Sequence, residues 1–291
     1  MFQTKSKVLT NMHLAEDYWR VTLEAPEIAS EIKPGQFIHL KLSETNFPLL
    51  RRPFSVFRCV KPGKGSAGIE VVYEVVGVGT RLMTELSEGD KLDIIGPLGQ
   101  GFKWQSDVKE HVLLAGGVGA ADLFMLGEEI SKVTGEYGLT LNILLGATTK
   151  ERLVLEDEFR TLKGQVLLST DDGSRGYRRS VVEMLKDAID TGKISPRCSI
   201  YACGPELMYQ ALNSLCSEYD IPAQVSMERD MLCGIGACLT CVCKVDRNNV
   251  MKYRDLPSSY VQFSSEAEYG YALVCKDGPV FNIKEVILDG R

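Results

Sequence analysis

His111-Val112-Leu113-Leu114-Ala115-Gly116-Gly117-Val118-Gly119 is a short apolar run that passes directly into three glycines, and a helix-like stretch, Asp122–Val133, follows it. A glycine-rich turn between a strand and a helix lets a phosphate approach the unpaired N–H groups at the helix start. The segment falls short of the full G-x-G-x-x-G fingerprint, so taken alone it reads equally well as a tight strand-to-helix turn. The alternation then continues. Leu139–Gly146, Gln165–Ser169 and Ser199–Cys203 read as strands, while Leu155–Lys163, Ser180–Ile189 and Glu206–Tyr219 read as helices. Strands alternating with helices require crossovers, which predicts a parallel sheet covered on both faces, a doubly wound α/β domain over residues 106–222.

Such sheets bind ligands at the carboxyl ends of their strands. Gly116, Gly117 and Gly119 lie at one end of this kind, Cys203-Gly204-Pro205-Glu206 at another and Thr170-Asp171-Asp172-Gly173 at a third. Asp171 and Asp172 suit a ribose hydroxyl and would repel a 2′-phosphate, which favours NAD over NADP. Arg175, Arg178 and Arg179 weigh the other way, and a solvated Asp-Gly turn is the plainer alternative.

Toward the N-terminus, residues 1–105 change rhythm. Phe37–Leu42, Ile69–Val76 and Lys91–Ile95 are short, β-branched or aromatic runs, punctuated by Pro34-Gly35, Pro62-Gly63, Glu88-Gly89-Asp90 and Gly96-Pro97. This spacing predicts an antiparallel β-barrel, with one short helix at Thr80–Leu86. Arg52-Pro53-Phe54-Ser55 places a cation, an aromatic ring and a hydroxyl within four residues, suited to a diphosphate, a ring face and a flavin edge. Gly79-Thr80 adds free N–H groups at a helix start. An arginine pair is more often simply solvated, and a phenylalanine more often core.

Toward the C-terminus, residues 223–291 hold five of the nine cysteines and a polar, insertion-like stretch at 246–269. A segment so poor in apolar periodicity needs a metal staple or docking onto the rest. Cys233-Gly234-Ile235-Gly236-Ala237-Cys238-Leu239-Thr240-Cys241 has the C-x4-C-x2-C spacing of a plant-type [2Fe–2S] loop, with Cys275 available as the fourth thiolate. Gly234 and Gly236 let the backbone take positive φ and turn N–H groups toward an anionic cluster. Structural zinc is the competing reading, but it normally needs a second short-spaced arm. Cys243 would share a face with Cys241 on a strand; Cys59, Cys198, Cys203 and Cys216 read as small buried residues.

The chain has 291 residues with Lys+Arg 33 against Asp+Glu 39, a net charge of −6. That balance argues against nucleic acid as a partner. No apolar run reaches membrane-spanning length and the N-terminal stretch has no secretory core, so a cytoplasmic protein without membrane association is expected. With no export signal, the cysteines point to metal or redox use rather than disulfides.

With these residues in view the chain resembles the ferredoxin reductase-like flavoproteins, and more narrowly the electron-transfer subunits of the type B, NAD-dependent dihydroorotate dehydrogenases. The marks are Arg52-Pro53-Phe54-Ser55, Val72-Tyr73-Glu74, Gly79-Thr80, Gly96-Pro97-Leu98-Gly99, Asp171-Asp172-Gly173-Ser174, Cys203-Gly204-Pro205, the cysteine loop and Val274–Phe281 around Cys275. The resemblance implies FAD on a barrel at 1–105, NAD on the α/β domain at 106–222, and a [2Fe–2S] cluster held by Cys233, Cys238, Cys241 and Cys275 in a module at 223–291. It further implies an oxidoreductase subunit of pyrimidine biosynthesis with an FMN-containing catalytic partner, two of each chain in the complex. No acid–base pair for substrate chemistry is evident, as expected where a flavin carries the hydride. Two other readings share the plan or the loop: the small subunit of an electron-bifurcating transhydrogenase or sulfide/sulfite-type reductase, and a non-catalytic zinc-stapled interaction module.

Two departures stand out. The family's glycine loop usually continues Ala-Pro; here it continues Ala121-Asp122, setting a negative charge where a dinucleotide is expected and predicting weaker NAD(H) binding. The gap from Cys241 to Cys275 is long, and its polarity predicts a surface excursion, cheap in loop-closure entropy.

Overall fold

The computed structural model of the chain describes residues 1–42, 47–61, 67–253, 262–263 and 268–288. Seven described strands form an antiparallel sheet: β1 (Phe2–Ala15), β2 (Tyr18–Glu24), β3 (Phe37–Lys41), β4 (Arg52–Ser55), β5 (Arg58–Val60), β6 (Gly68–Glu74) and β7 (Lys91–Leu98), in the order β4-β3-β7-β1-β2-β6-β5. Its two edge strands, β4 and β5, are joined by Val56 and Phe57 alone. Three Cα steps span at most about 11 Å, so the edges must lie side by side and the sheet must curl into a barrel with one open seam. The seam is bridged by side chains, since Phe54 of β4 meets Tyr73 of β6 edge to face with ring centroids 6.2 Å apart. β1 makes the curl possible by pairing with β7 over Phe2–Lys7 and with β2 from Val8 onward. Helix α1 (Pro26–Glu31) buries Ile28 beneath the sheet, and α2 is Val78–Thr84, starting before the expected Thr80 because the Thr80 hydroxyl folds back to accept from the amides of Val76 and Gly77. The expected turn at Pro62-Gly63 lies outside the described residues.

The second sheet carries β8 (Glu110–Gly116), β9 (Thr140–Ala147), β10 (Gln165–Thr170), β11 (Tyr177–Arg178), β12 (Ser199–Cys203) and β13 (Ala223–Ser226), all parallel, in the order β11-β10-β9-β8-β12-β13. The middle of β8 is buried at every position, as a strand covered on both faces must be. Helix α3 (Ala120–Val133) buries Leu123, Leu126, Gly127 and Ile130 as a stripe at helical spacing, and also Asp122 and Phe124, because it lies between the second sheet and the barrel. Helix α4 is Glu156–Arg160, shorter than the expected Leu155–Lys163 because Leu155 takes a left-handed φ of 66° at its start, and past its end the amides of Thr161 and Leu162 bond three residues back, to Glu158 and Phe159. Helix α5 (Val181–Asp190) opens with a capping box in which Ser180 and Glu183 satisfy each other's backbone amides, and α6 is Glu206–Tyr219. Strand order runs outward in one direction through β9 and in the other through β12, so the switch point lies between β8 and β12.

A third sheet, β14-β16-β15, comprises β14 (Val242–Asp246), β15 (Gln262–Phe263) and β16 (Tyr269–Leu273). The chain then returns as β17 (Val280–Asn282), which pairs antiparallel with β13 and completes the second sheet to seven strands. Residues on both sides of position 222 thus share one sheet. Cys241, Cys243, Cys275 and Phe281 pack in the same core as Val225 and Leu114. Within the stretch 246–269, residues Arg247–Tyr253 form α7, which buries Val250, so this part is docked rather than a free surface excursion; 254–261 and 264–267 lie outside the described residues. The barrel joins the second sheet through aromatic packing, with the Phe57 and Phe124 rings 4.5 Å apart, and through an ion pair of 2.8 Å between Arg20 and Glu158.

Candidate functional site

Two cavities meet where the barrel faces the switch point. The larger, about 870 Å³, is walled by the barrel residues Arg52, Pro53, Phe54, Ser55, Val72, Tyr73, Glu74, Gly79 and Thr80. All the flavin candidates therefore border one space. The first motif lies on edge strand β4 and the second on β6, so the curl of the sheet brings them together across its seam. Arg52 reaches this wall while its Nη1 donates to the Leu50 carbonyl at 2.7 Å; Arg51 turns away and pairs with Asp93 at 2.8 Å. Phe54 and Tyr73 supply ring faces of the size a flavin stacks on.

The smaller cavity, about 630 Å³, is lined by Gly116, Gly117, Gly119, Asp171, Gly204 and Pro205. It lies at the carboxyl ends of β8, β9, β10 and β12, beside the N-terminus of α3, where amides point outward to an anion. A Cβ at Gly119 would sit 2.4 Å from the Cys203 carbonyl oxygen, so only glycine lets the two loops close on each other here. Two candidates fall elsewhere. Cys203 faces the larger cavity. Asp172 is exposed and turned onto its own loop, accepting from the Ser174 amide at 2.9 Å and the Ser174 hydroxyl at 2.7 Å, which pulls its carboxyl below the usual range.

Glu74, Val118, Gly119 and Glu228 border both cavities. Sequence reasoning missed Glu228, as well as Tyr18 and Arg152 on the smaller cavity. Arg152 follows the carboxyl end of β9, and that position was the available signal. It forms an ion pair with Glu74 and lies 5.3 Å from the Tyr18 ring centroid, tying the barrel to the second sheet at the cavity rim.

The cysteine loop forms another wall of the larger cavity through Met231, Thr240 and Val242. Gly234 and Gly236 have φ of 70° and 84°, as expected. A Cβ on Gly234 would strike the buried His39 ring at 2.5 Å. The thiols fall into two pairs. Cys233 Sγ accepts from the amides of Ala237 and Cys238 at 3.3 and 3.4 Å, and Cys241 Sγ accepts from the Cys275 amide at 3.4 Å. The Thr240 hydroxyl and amide push the Cys238 thiol down to about 6, while the hydrogen bond shared by Cys241 and Cys275 lowers the first and raises the second. Among the described residues no three His, Cys, Asp or Glu side chains gather around one ion position. Two cysteine pairs with amides aimed at sulfur fit the four-cysteine donor set that would hold a [2Fe–2S] cluster. Cys198, Cys203, Cys216 and Cys243 are buried, but Cys59 is exposed, because it stands on edge strand β5.

Asp122 is placed differently from its expectation. It borders the larger cavity and not the smaller, is 2% exposed, and burial raises its carboxyl above the ordinary range. It therefore sets no charge in the path of a dinucleotide.

A curled antiparallel barrel joined to a doubly wound sheet, with paired cavities and a cysteine loop against one of them, defines a ferredoxin reductase-like, NAD-linked flavin and iron–sulfur oxidoreductase subunit. Known proteins agree. A family model described as the iron–sulfur cluster binding domain of dihydroorotate dehydrogenase B matches residues 228–255. A relative from Desulforamulus reducens named dihydroorotate dehydrogenase B (NAD(+)), electron transfer subunit, is 33% identical over 282 residues, 97% of each chain. One of the same name from Geobacillus thermodenitrificans is 34% identical over 283 residues, again 97% of each. This chain belongs to that family of electron transfer subunits. Among solved structures, an NADH-dependent reduced ferredoxin-NADP oxidoreductase described for flavin-based electron bifurcation is 28% identical, with a TM-score of 0.76 over 98% of this chain and 91% of its own. A Neisseria gonorrhoeae ferredoxin NADP+ reductase with bound FAD and NADP shares the fold, at 19% identity and a TM-score of 0.61 over 79% of this chain and 95% of its own.

Proposed function

We propose that this chain carries electrons from a separate, FMN-containing dihydroorotate dehydrogenase subunit to NAD+. The observation that carries the reading is the succession of sites: the cysteine loop walls the larger cavity, and that cavity shares four residues with the smaller one. In this reading Cys233, Cys238, Cys241 and Cys275 hold a [2Fe–2S] cluster, the larger cavity holds FAD, and the smaller holds NAD(H). The cluster supplies single-electron steps and the flavin converts them into a hydride. Arg52 and the α2 start would hold the flavin's diphosphate, Phe54 and Tyr73 would offer ring faces to it, and Ser55 a hydroxyl. Gly116, Gly117, Gly119, Gly204 and Pro205 give the nucleotide close backbone contact, and Asp171 receives its ribose. The proposed units are 1–105, 106–222 and 223–291, the last sharing a sheet with the second through β13 and β17. Leu232, Ile235 and Leu239 are 40–47% exposed around the thiols and suit an apolar partner surface there.

No described helix is long and apolar enough to cross a membrane; a cytoplasmic complex of two chains of each kind is the proposed setting. Co-expression with an FMN-containing dihydroorotate-oxidising chain tests the function. The expected result is dihydroorotate-dependent NADH formation only when both chains are present. A flavin- and cluster-loaded chain that supports no such activity with any dihydroorotate-oxidising partner would overturn it. The 28% likeness to the bifurcating oxidoreductase favours one second reading, a small subunit serving a different flavoprotein, and reduction of ferredoxin by the isolated native complex would select it.

A further inference from the structure

Asp122 sits in the first turn of α3 with a 2% exposed residue surface, and neither of its carboxyl oxygens completes a hydrogen bond. The groups beside it are neutral. Burial raises the carboxyl, and Ser226 at the end of β13, Ser55 on β4 and Cys203 at the end of β12 stand close enough to draw it partly back down, so that burial prevails. The titratable groups that act on it are Cys203, Tyr209 of α6 and Glu228, which follows β13, and burial pushes all three up as well. Of the charged residues on the same cavity wall, Arg229 pairs with Glu206 at 3.2 Å and Glu74 with Arg152. An unpaired carboxylate in such a place costs several kcal/mol, so the group keeps its proton. Both carboxyl oxygens are closed off from solvent, so a proton passing from Asp122 to whatever binds in the larger cavity travels through the Ser55 hydroxyl, which stands beside the carboxyl and borders that cavity. Glu228, which borders both cavities, lies on the way out.

We propose that Asp122 supplies the proton taken up when the acceptor in the larger cavity is reduced by single electrons, and regains it from solvent by way of Glu228. The proposal rests on FAD occupying that cavity. The balance closes: two electrons arrive one at a time from the cluster and one proton from Asp122, and a hydride, two electrons with one proton, leaves to NAD+. The Asp122 carboxylate then takes the next proton from water through Glu228. The reverse reduction by NADH brings its own proton in the hydride, so it does not need Asp122.

That asymmetry gives the test. In the holoprotein, Asp122→Asn keeps the shape and removes the proton. Reduction of the flavin through the dithionite-reduced cluster should slow tenfold or more and lose its solvent deuterium isotope effect, while reduction by NADH changes less than twofold. Equal slowing of both routes, or of neither, overturns the proposal. Infrared spectra read the proton independently of the flavin. A carboxylic-acid band that titrates above the ordinary carboxylate range should be present in the native chain and missing in Asp122→Asn, and a native chain without that band also overturns the proposal. Flavin absorbance of the purified chain tests the cofactor reading separately: an acid band in a chain that takes up no FAD would refute that reading and not the protonation of Asp122.

Discussion

The loop Gly116–Gly119 and the loop Cys233–Cys241 both border the larger cavity, and both carry glycines where other residues do not fit. In the first the reason is space at Gly119, where a Cβ would lie 2.4 Å from a backbone oxygen, and handedness at Gly117, whose φ is 57°. In the second the reason is mainly handedness, with φ of 70° and 84° at Gly234 and Gly236 and 59° even at Leu239. The first loop is finished by packing between protein backbones and stands ready for a ligand that comes and goes. The second turns its amides onto its own sulfurs, leaves Leu232, Ile235 and Leu239 facing outward, and depends on a resident group to lock it. A transient ligand is met by a preformed site, and a permanent one is part of the fold.

The sharpest break comes from Cys275→Ser. Cys275 is 2% exposed and shares the core of the second sheet, so losing it should remove the cluster's visible absorption and lower the melting temperature together; an unchanged spectrum would sink the ligand assignment. Gly119→Ala should do the opposite, keeping the cluster spectrum while weakening NADH binding at least tenfold and costing about 1–3 kcal/mol from overpacking; titration of the flavin with NADH reads it. Asp171→Ala should weaken NADH binding severalfold and Asp172→Ala hardly at all, because only Asp171 faces the cavity. Equal effects of the two would mean that the nucleotide reaches beyond the cavity rim. The smallest expected effect is one of pH. The Asp122 carboxyl is raised in the folded state, so its favourable share of stability is complete below the unfolded value of 3.8 and falls as pH rises through the folded one. Asp122→Asn should therefore gain on the native chain in denaturant midpoint as pH rises, and a constant difference across pH would show that the carboxyl titrates alike in both states.

Much of this was legible in the sequence because its signals are local. The β8–Gly116–α3 unit announces itself by a buried run, a glycine turn and a helical stripe, and Arg52–Ser55 and the cysteine loop are contiguous motifs. What escaped is assembled from a distance. β1 alternates in burial, but Lys5, Lys7, Thr10 and Asn11 leave it without an apolar run to notice. Glu228, Arg152 and Tyr18 reach the cavities singly from three elements. Asp122 was visible as an odd residue, yet position in a helix's first turn does not say which of two adjoining spaces the side chain enters.

β17 has one more consequence. The strand that closes the edge of the parallel sheet is made only after the cysteine loop has been synthesised. Until Val280–Asn282 docks on β13, that edge keeps a row of unpaired amides and carbonyls, the kind of surface that recruits other chains. A chain that stops between the cysteine loop and Val280 would therefore keep that edge open on an otherwise finished sheet.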